Sequence, residues 1–131
     1  MYFPEFRDAP SWRQTGFERL SRQLDLQVYP DGSQYELAPS YHLMCLHHFV
    51  DILLLAQATG FPLDEAFAKQ VESMYDYVLT LAMPDRAYPA FGDSGPGGKI
   101  TQTLLQGDSH FNRPDMRYAA TYGKEGDPPA F

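Results

Sequence analysis

The pattern of apolar and polar positions along this chain predicts helices that are separated by loops rich in proline and glycine. The clearest stripe lies between Leu63 and Ala82, where apolar residues recur at intervals of four, three, four and three: Phe67, Val71, Met74, Val78 and Leu81. This spacing places them on one face of a helix, which ends at Met83-Pro84-Asp85. No segment reads convincingly as a strand, so none is predicted.

Two further helices precede this one. The first is predicted to run from Ser11, a favourable N-cap residue, to about Leu26. The second begins near Pro39, because the fixed φ and missing N–H of proline suit a first helical position. It runs to about Ala58, and Gly60 ends it. Apolar residues surround nearly all of this second helix, which indicates that neighbours enclose it.

Two weaker helical signals follow a long loop at residues 86–99. They cover about Ile100–Gln106 and Pro114–Tyr122, and Gly123 closes the second of them. Four or five antiparallel helices joined by such loops predict an all-α fold of antiparallel helical hairpins.

The composition narrows the classes of function. The net charge of −7 argues against nucleic acid as the main partner, because phosphate binding needs clustered lysine and arginine. No stretch reaches the roughly 18 apolar residues that would cross a membrane, so no membrane partner is expected. The single cysteine, Cys45, excludes an internal disulfide. No two histidines have the spacing of a helical zinc site, and neither a metal nor a cofactor is expected.

Two loops carry more polar and aromatic residues than a connection between helices requires. The first covers residues 29–42 and holds these candidates: Asp31, Gln34, Tyr35, Glu36, Tyr41 and His42. The second covers residues 88–95 and holds Asp93. Two antiparallel helices separate the loops, so we expect both at one rim of the domain. The positive end of the second helix dipole lies in the first loop and suits a bound carboxylate or a tyrosinate.

The run from Gln27 to His42 resembles the aspartate–glycine, glutamate, proline and tyrosine–histidine signature of heparinase II/III-like lyases. Residues 89–94 are similar to the loop that follows in that family, and residues 3–6 with Trp12-Arg13 resemble the segment before the signature. The resemblance covers essentially the whole chain. It implies that residues 1–131 are part of an α/α toroid, and that the family's β-sandwich domain is absent from this chain.

The resemblance also implies a chemistry, which is β-elimination on a polysaccharide that contains uronic acid. The tyrosine of the family's motif corresponds to Tyr41, the expected catalytic residue. A phenol with a pKa near 10 can remove the C5 proton or protonate the leaving oxygen if its surroundings tune it. The expected substrate-binding residues are Glu36, His42, Gln34, Tyr35 and Asp93. The family's other reacting groups have no counterpart here, so we expect a fragment of a larger enzyme, and whether this chain is active alone stays open.

The implied partner is an anionic polysaccharide, and the implied location is periplasmic or secreted, although no signal peptide is visible. Helix faces made for missing hairpins are expected to favour self-association. Two other functions stay open, which are a non-catalytic carbohydrate-binding remnant and a toroid glycoside hydrolase that uses Glu36 and Asp93.

Several of these side chains also have purely structural interpretations. His42 is equally well explained as a buried histidine with satisfied hydrogen bonds, and Glu36 as a residue that stabilises the helix start. Asp31-Gly32 is an ordinary turn dipeptide. Trp12 is expected in the core rather than on a sugar-binding platform.

Overall fold

The computed structural model describes residues 4–130, and its regular structure is entirely helical. Five helices follow one another along the chain: α1 (Ala9–Gln27), α2 (Pro39–Thr59), α3 (Glu65–Leu81), α4 (Thr101–Phe111) and α5 (Pro114–Ala120). No β-strand occurs in this range, where two isolated antiparallel bridges join Val28 to Gln34 and Ala87 to Lys99. The prediction of an all-α fold is therefore confirmed. Phe3, at the start of the family resemblance, lies outside the described residues.

Two helix starts differ from the predictions for local reasons. Helix α1 begins at Ala9, before Ser11, because Pro10 occupies its first turn, where a missing N–H costs nothing. Helix α3 begins at Glu65 rather than Leu63, because the carboxylate of Asp64 accepts a hydrogen bond from the backbone N–H of Ala66 at 3.0 Å. Asp64 is thus the N-cap that the apolar stripe alone did not reveal.

Helices α2 and α4 end at residues in the left-handed region. Gly60, with φ of 63°, ends α2 and donates its backbone N–H to carbonyls of the last turn, as predicted. Helix α4 continues to Phe111, well beyond the predicted end at Gln106, and Asn112 with φ of 54° terminates it. Helix α5 ends at Ala120, two residues earlier than predicted.

The core forms where α3 packs between α2 and α4, and α5 closes it. The predicted stripe of α3 faces this core, where Val71 and Met74 are wholly buried. The ring of Tyr75 is buried beside them, and burial raises the pKa of its phenol to about 12. Gly107 lets α4 approach this ring, since an added Cβ would lie 2.7 Å from Tyr75 Cδ1 and 2.5 Å from Met116 Sδ.

A cluster of ion pairs around one arginine connects the start of α5 to α3. The guanidinium of Arg113 contacts three carboxylates, which belong to Glu72 at 3.0 Å, Asp76 at 2.6 Å and Asp115 at 2.8 Å. The contact with Asp115 leads those that raise the pKa of Arg113 further above its ordinary value. Because the guanidinium is largely shielded from solvent, this cluster is a stronger tie than an exposed ion pair.

Helix α1 is the least enclosed element. Its last turn is fixed to α3 by Gln70, which donates its side-chain amide to the Leu24 carbonyl at 3.2 Å. The expectation of a core position for Trp12 is wrong, because 59% of this residue is exposed. Helix α2 is also less enclosed than predicted, since Met44 and Leu54 reach solvent. Within residues 4–130, no helix combines the length and apolar character needed to span a membrane.

Gly107→Ala should lower the free energy of unfolding by about 1–3 kcal/mol, because the new methyl group overlaps Tyr75 and Met116. Gly16→Ala is the matched control, since its Cβ would meet no atom of the described residues within 4 Å. There the better helix propensity of alanine should raise stability by up to about 1 kcal/mol. Urea unfolding measures both variants. Shifts of equal sign would contradict the close approach of α4 at Gly107.

Candidate active site

The first candidate loop is a tight turn between α1 and α2. The backbone N–H of Tyr29 donates to the Ser33 carbonyl at 2.8 Å, and that of Tyr35 donates to the Gln27 carbonyl at 2.8 Å. The carboxylate of Asp31 accepts from the hydroxyl of Ser33 at 2.6 Å and from its backbone N–H at 3.0 Å. These bonds lower the pKa of Asp31. Asp31 thus serves the turn, as its structural interpretation proposed.

Gly32 lets this turn press against α3. Its φ is 83°, and a Cβ at this position would lie 1.9 Å from the Ser73 carbonyl oxygen. Any side chain would therefore push the turn away from the helix. The sequence-based interpretation of Asp31-Gly32 as a turn did not include this contact, because Ser73 is distant in the chain.

His42 lies beneath the loop and is wholly buried. Its Nδ1 accepts a hydrogen bond from the Gln34 backbone N–H at 3.3 Å, so the proton is on Nε2, which lies 3.0 Å from the Met74 carbonyl oxygen and donates to it. The ring packs against Tyr77 at a centroid distance of 4.8 Å. Burial lowers the pKa of His42 to about 4, which keeps the ring neutral.

These contacts decide how His42 can act. Both ring nitrogens are engaged within the protein, so a direct bond to a substrate would first have to break one of them. The structural interpretation of His42 as a satisfied buried histidine describes this arrangement. Its connection to the rim runs through Gln34.

Gln34 links the buried histidine to the exposed surface. Its side chain is buried, and its Oε1 accepts from the backbone N–H of Glu36 at 3.0 Å. Its Nε2 donates to the Glu36 carboxylate at 3.4 Å. Glu36 is exposed, and Tyr35 beside it is 50% exposed. Of these three predicted residues, Tyr35 and Glu36 face solvent and Gln34 supports them from below.

Tyr41 occupies the first turn of α2 and is partly buried. Cys45 follows one turn later and therefore lies on the same face of the helix. Burial raises the pKa of the Cys45 thiol, and the negative charge of Glu36 raises it further.

The second candidate loop is fastened to the start of this helix. Ala38, the N-cap of α2, has no side-chain acceptor for the free backbone N–H groups. Ser94 supplies one, because its Oγ accepts from the Ser40 backbone N–H at 2.8 Å and lies 3.0 Å from the Ser40 hydroxyl. Gly92 lies against the first loop, where an added Cβ would be 3.4 Å from the Leu37 carbonyl oxygen. The expectation that both loops share one rim is confirmed.

At this rim Tyr35, Glu36 and Asp93 are exposed to solvent, and Tyr41 is partly buried. Asp93 adjoins the anchored Ser94 and is exposed. No group of three or more histidine, cysteine, aspartate or glutamate side chains that could hold a metal ion occurs among residues 4–130.

Comparison with known proteins identifies the family of this chain. A family model described as the heparinase II/III N-terminus matches residues 1–118. The chain belongs to the heparinase II/III family. A heparin-sulfate lyase of Pedobacter heparinus is 35% identical over 98% of this chain, and one of Bacteroides stercoris is 32% identical over 99%. In both cases the match covers 20% of the relative, so this chain spans about a fifth of their length.

Solved structures extend this family relationship to the fold. A heparinase III superposes with a TM-score of 0.84 at 32% identity, over 99% of this chain and 21% of its own. The heparan sulfate lyase HepC from Pedobacter heparinus superposes with a TM-score of 0.84 at 34% identity, over 98% of this chain and 21% of its own. The helical hairpins of this family member are part of an α/α toroid, as the resemblance implied.

One residue that organises the rim was not predicted from the sequence. Ser94 was read only as part of a loop, yet it caps α2 from 54 positions away in the chain. A signal was present, because Ala38 precedes the helix where a polar side chain would normally cap it. A missing local cap indicates that a distant residue supplies the acceptor, although it does not identify which residue this is.

Acidification should destabilise the fold through His42. An unfolded histidine has a pKa near 6.5, and the folded value is about 4. Between these values the unfolded chain binds a proton that the folded chain does not, so stability decreases as the pH falls through this window. The loss should reach about 3 kcal/mol.

The measurement is urea unfolding at a series of pH values for the unsubstituted chain and for His42→Gln, which keeps a donor and an acceptor but does not titrate. The variant should have a flatter profile between pH 6.5 and 4. His48→Gln changes an exposed histidine and should keep the original slope. An unchanged slope in His42→Gln would exclude His42 as the source.

Ser94→Ala should loosen the start of α2, because it removes the acceptor of the Ser40 N–H. Loss of a helix cap costs about 1 kcal/mol. Ser40→Ala is the matched comparison, since it removes only the contact between hydroxyls and keeps the backbone bond. Hydrogen exchange of the Ser40 amide should accelerate in Ser94→Ala and stay slow in Ser40→Ala. Equal protection in the two variants would contradict capping by Ser94.

Proposed function

We propose that this chain forms one wall of the catalytic cleft of a polysaccharide lyase, with Tyr41 as the catalytic acid and base. The observation that carries the proposal is the position of Tyr41. It occupies the first turn of α2 at a rim built by both candidate loops, and Ser94 anchors the residue directly before it. Membership of the heparinase II/III family and its similarity to two heparin-sulfate lyases support the same reaction.

The proposed reaction is β-elimination on a uronic acid unit. A base removes the C5 proton, the electron pair forms the C4–C5 double bond, and the bond between C4 and the leaving oxygen breaks. The leaving oxygen then takes up a proton, so the products are an unsaturated uronate and a new sugar hydroxyl end. A tyrosine suits both proton transfers, because its phenolate accepts a proton and its phenol donates one.

The exposed carboxylates suit the neutral part of the substrate. Glu36 and Asp93 can accept hydrogen bonds from sugar hydroxyls, and the face of Tyr35 can pack on a sugar ring. His42 and Gln34 act as positioning residues, because they hold the loop and the Glu36 side chain rather than reaching solvent. We propose this division of roles for the substrate-binding residues.

The negative charge of the rim indicates that the groups that neutralise the substrate carboxylate lie outside the two loops. Residues 27–42 and 88–95 contain no lysine or arginine, whereas they hold Asp31, Glu36 and Asp93. A uronate carboxylate must be neutralised before C5 can lose its proton, and acidic side chains cannot do this. We infer that the neutralising groups belong to parts of the enzyme outside this chain, which spans a fifth of its relatives. The proposed substrate is a glycosaminoglycan of the heparan sulfate type.

Tyr41→Phe should abolish elimination while leaving substrate binding nearly intact. The test places this chain in the frame of the Pedobacter heparinus heparin-sulfate lyase, in exchange for the matched segment, and follows the ultraviolet absorbance of the unsaturated uronate with heparan sulfate. Loss of the acid and base should lower kcat about 10²- to 10⁴-fold with little change in KM. Tyr35→Phe is the matched control and should keep kcat.

The same assay separates the other functions. A glycoside hydrolase would release reducing ends without new absorbance, and it would lose activity in Glu36→Gln and Asp93→Asn but not in Tyr41→Phe. A carbohydrate-binding remnant would bind the polysaccharide and leave it uncut in every variant. Hyaluronan and alginate, tested in parallel, decide whether the proposed preference for heparan sulfate holds.

A further inference from the structure

A second surface of this chain is shaped for contact rather than for solvent. A groove with a cavity volume of about 340 Å³ lies between α1 and α2. Its walls are almost entirely apolar and include Trp12, Leu20, Ile52 and Leu55. Trp12 is 59% exposed although it is the single tryptophan of the chain. Apolar surface gathered in a concave groove is a mark of an interaction site, unlike scattered exposed apolar residues.

A glycine opens the floor of this groove. Gly16 lies in the middle of α1, where glycine destabilises a helix relative to alanine. No close neighbour among residues 4–130 requires it, because a Cβ at Gly16 would meet none of their atoms within 4 Å. The absent side chain instead leaves room for another backbone to approach α1 closely. Gly107 differs in this respect, since its neighbours within the chain already fill the space around it.

One N–H group of an arginine at the same groove lacks a hydrogen-bond acceptor. The Nε of Arg13 is buried and has no hydrogen-bond partner among the described residues. The guanidinium instead lies over the ring of Phe61, at 5.3 Å from its centroid. A buried donor without an acceptor is unfavourable, so an acceptor supplied at this position would stabilise the contact. The groove therefore combines apolar walls, an open floor and one unsatisfied donor at its edge.

We propose that this groove receives an amphipathic helix from the part of the heparinase II/III enzyme that lies outside this chain. About four fifths of each relative lies outside the matched segment, and the toroid to which these hairpins belong requires further helices beside them. The incoming helix carries an apolar stripe over Gly16 and an oxygen acceptor, either a carboxylate or a terminal carbonyl, for Arg13. This proposal concerns assembly and stands independently of the reaction at Tyr41.

The groove between α2 and α4 provides a contrast on the same molecule. Its volume is about 390 Å³, but only about half of its wall is apolar, and the polar residues His47, Asp51, Gln102 and Gln106 line it. Burial beneath a helix would remove these polar groups from water and leave several without partners. The apolar groove is thus the one suited to a helix, and the polar groove is suited to remain hydrated.

The first test uses the chain itself, because Trp12 reports directly on the groove. The probe is a synthetic amphipathic peptide with a leucine and alanine stripe and one glutamate beside it. Its scrambled sequence serves as the control. The intended peptide should shift Trp12 emission to shorter wavelength, and Gly16→Leu should weaken binding at least 10-fold by filling the floor. Thr15→Leu, an exposed change one position earlier, should leave binding unchanged.

The second test compares two contexts, the chain alone and the chain within the Pedobacter heparinus frame. Gly16→Leu should raise the melting temperature of the chain alone and lower that of the complete protein, because the same side chain improves the free helix and blocks the docked one. Thr15→Leu should act alike in both. Binding of the scrambled peptide, or equal shifts in both contexts, would overturn the proposal. Sedimentation of a dimer that Gly16→Leu dissociates would assign the groove to a second copy and overturn it as well.

Discussion

The arrangement of the rim depends on two hydrogen bonds made by one buried imidazole. His42 accepts from the backbone of Gln34 and donates to the carbonyl of Met74, so it joins the first loop, α2 and α3 at one point. The ring must be neutral to make both bonds, and its burial ensures this. Loss of either bond would leave a buried polar group without a partner, which is costly at this depth. The two hydrogen bonds of His42 therefore hold in place the loop that carries the exposed side chains of the rim.

The sequence predicted the helices better than their ends and the loops better than their internal bonding. The α3 stripe was readable because burial on one face repeats with the helical period, whereas the start of α3 depends on the Asp64 carboxylate. Composition identified both loops and the family resemblance assigned roles within them, but neither separated side chains that face solvent from those beneath. Gln34 and Glu36 are two positions apart, yet one is buried and the other exposed. That distinction arises from packing against α3, which no local pattern contains.

The capping of α2 shows how the two loops depend on each other. The helix begins at a proline after an alanine, so it lacks the local acceptor that most helices carry. Ser94 satisfies this need and thereby fixes the loop that carries Asp93. The glycine-rich loop is held at the rim because Ser94 accepts a hydrogen bond from a backbone N–H group that has no acceptor within the helix. The same bond determines the position of Ser40, and Tyr41 follows it directly in the chain.

Helix α2 also connects the rim to the apolar groove. Tyr41 and the groove residues Ile52 and Thr59 are separated by 11 and 18 positions, which are close to three and five helical turns. They therefore lie along one face of α2, with Tyr41 at its start and the groove farther along. A helix seated in the groove would follow this face and bring neighbouring parts of the enzyme towards Tyr41. The two loops of the rim contain no lysine or arginine. A helix docked on this face of α2 would therefore be a way to bring positively charged groups from the rest of the enzyme close to Tyr41.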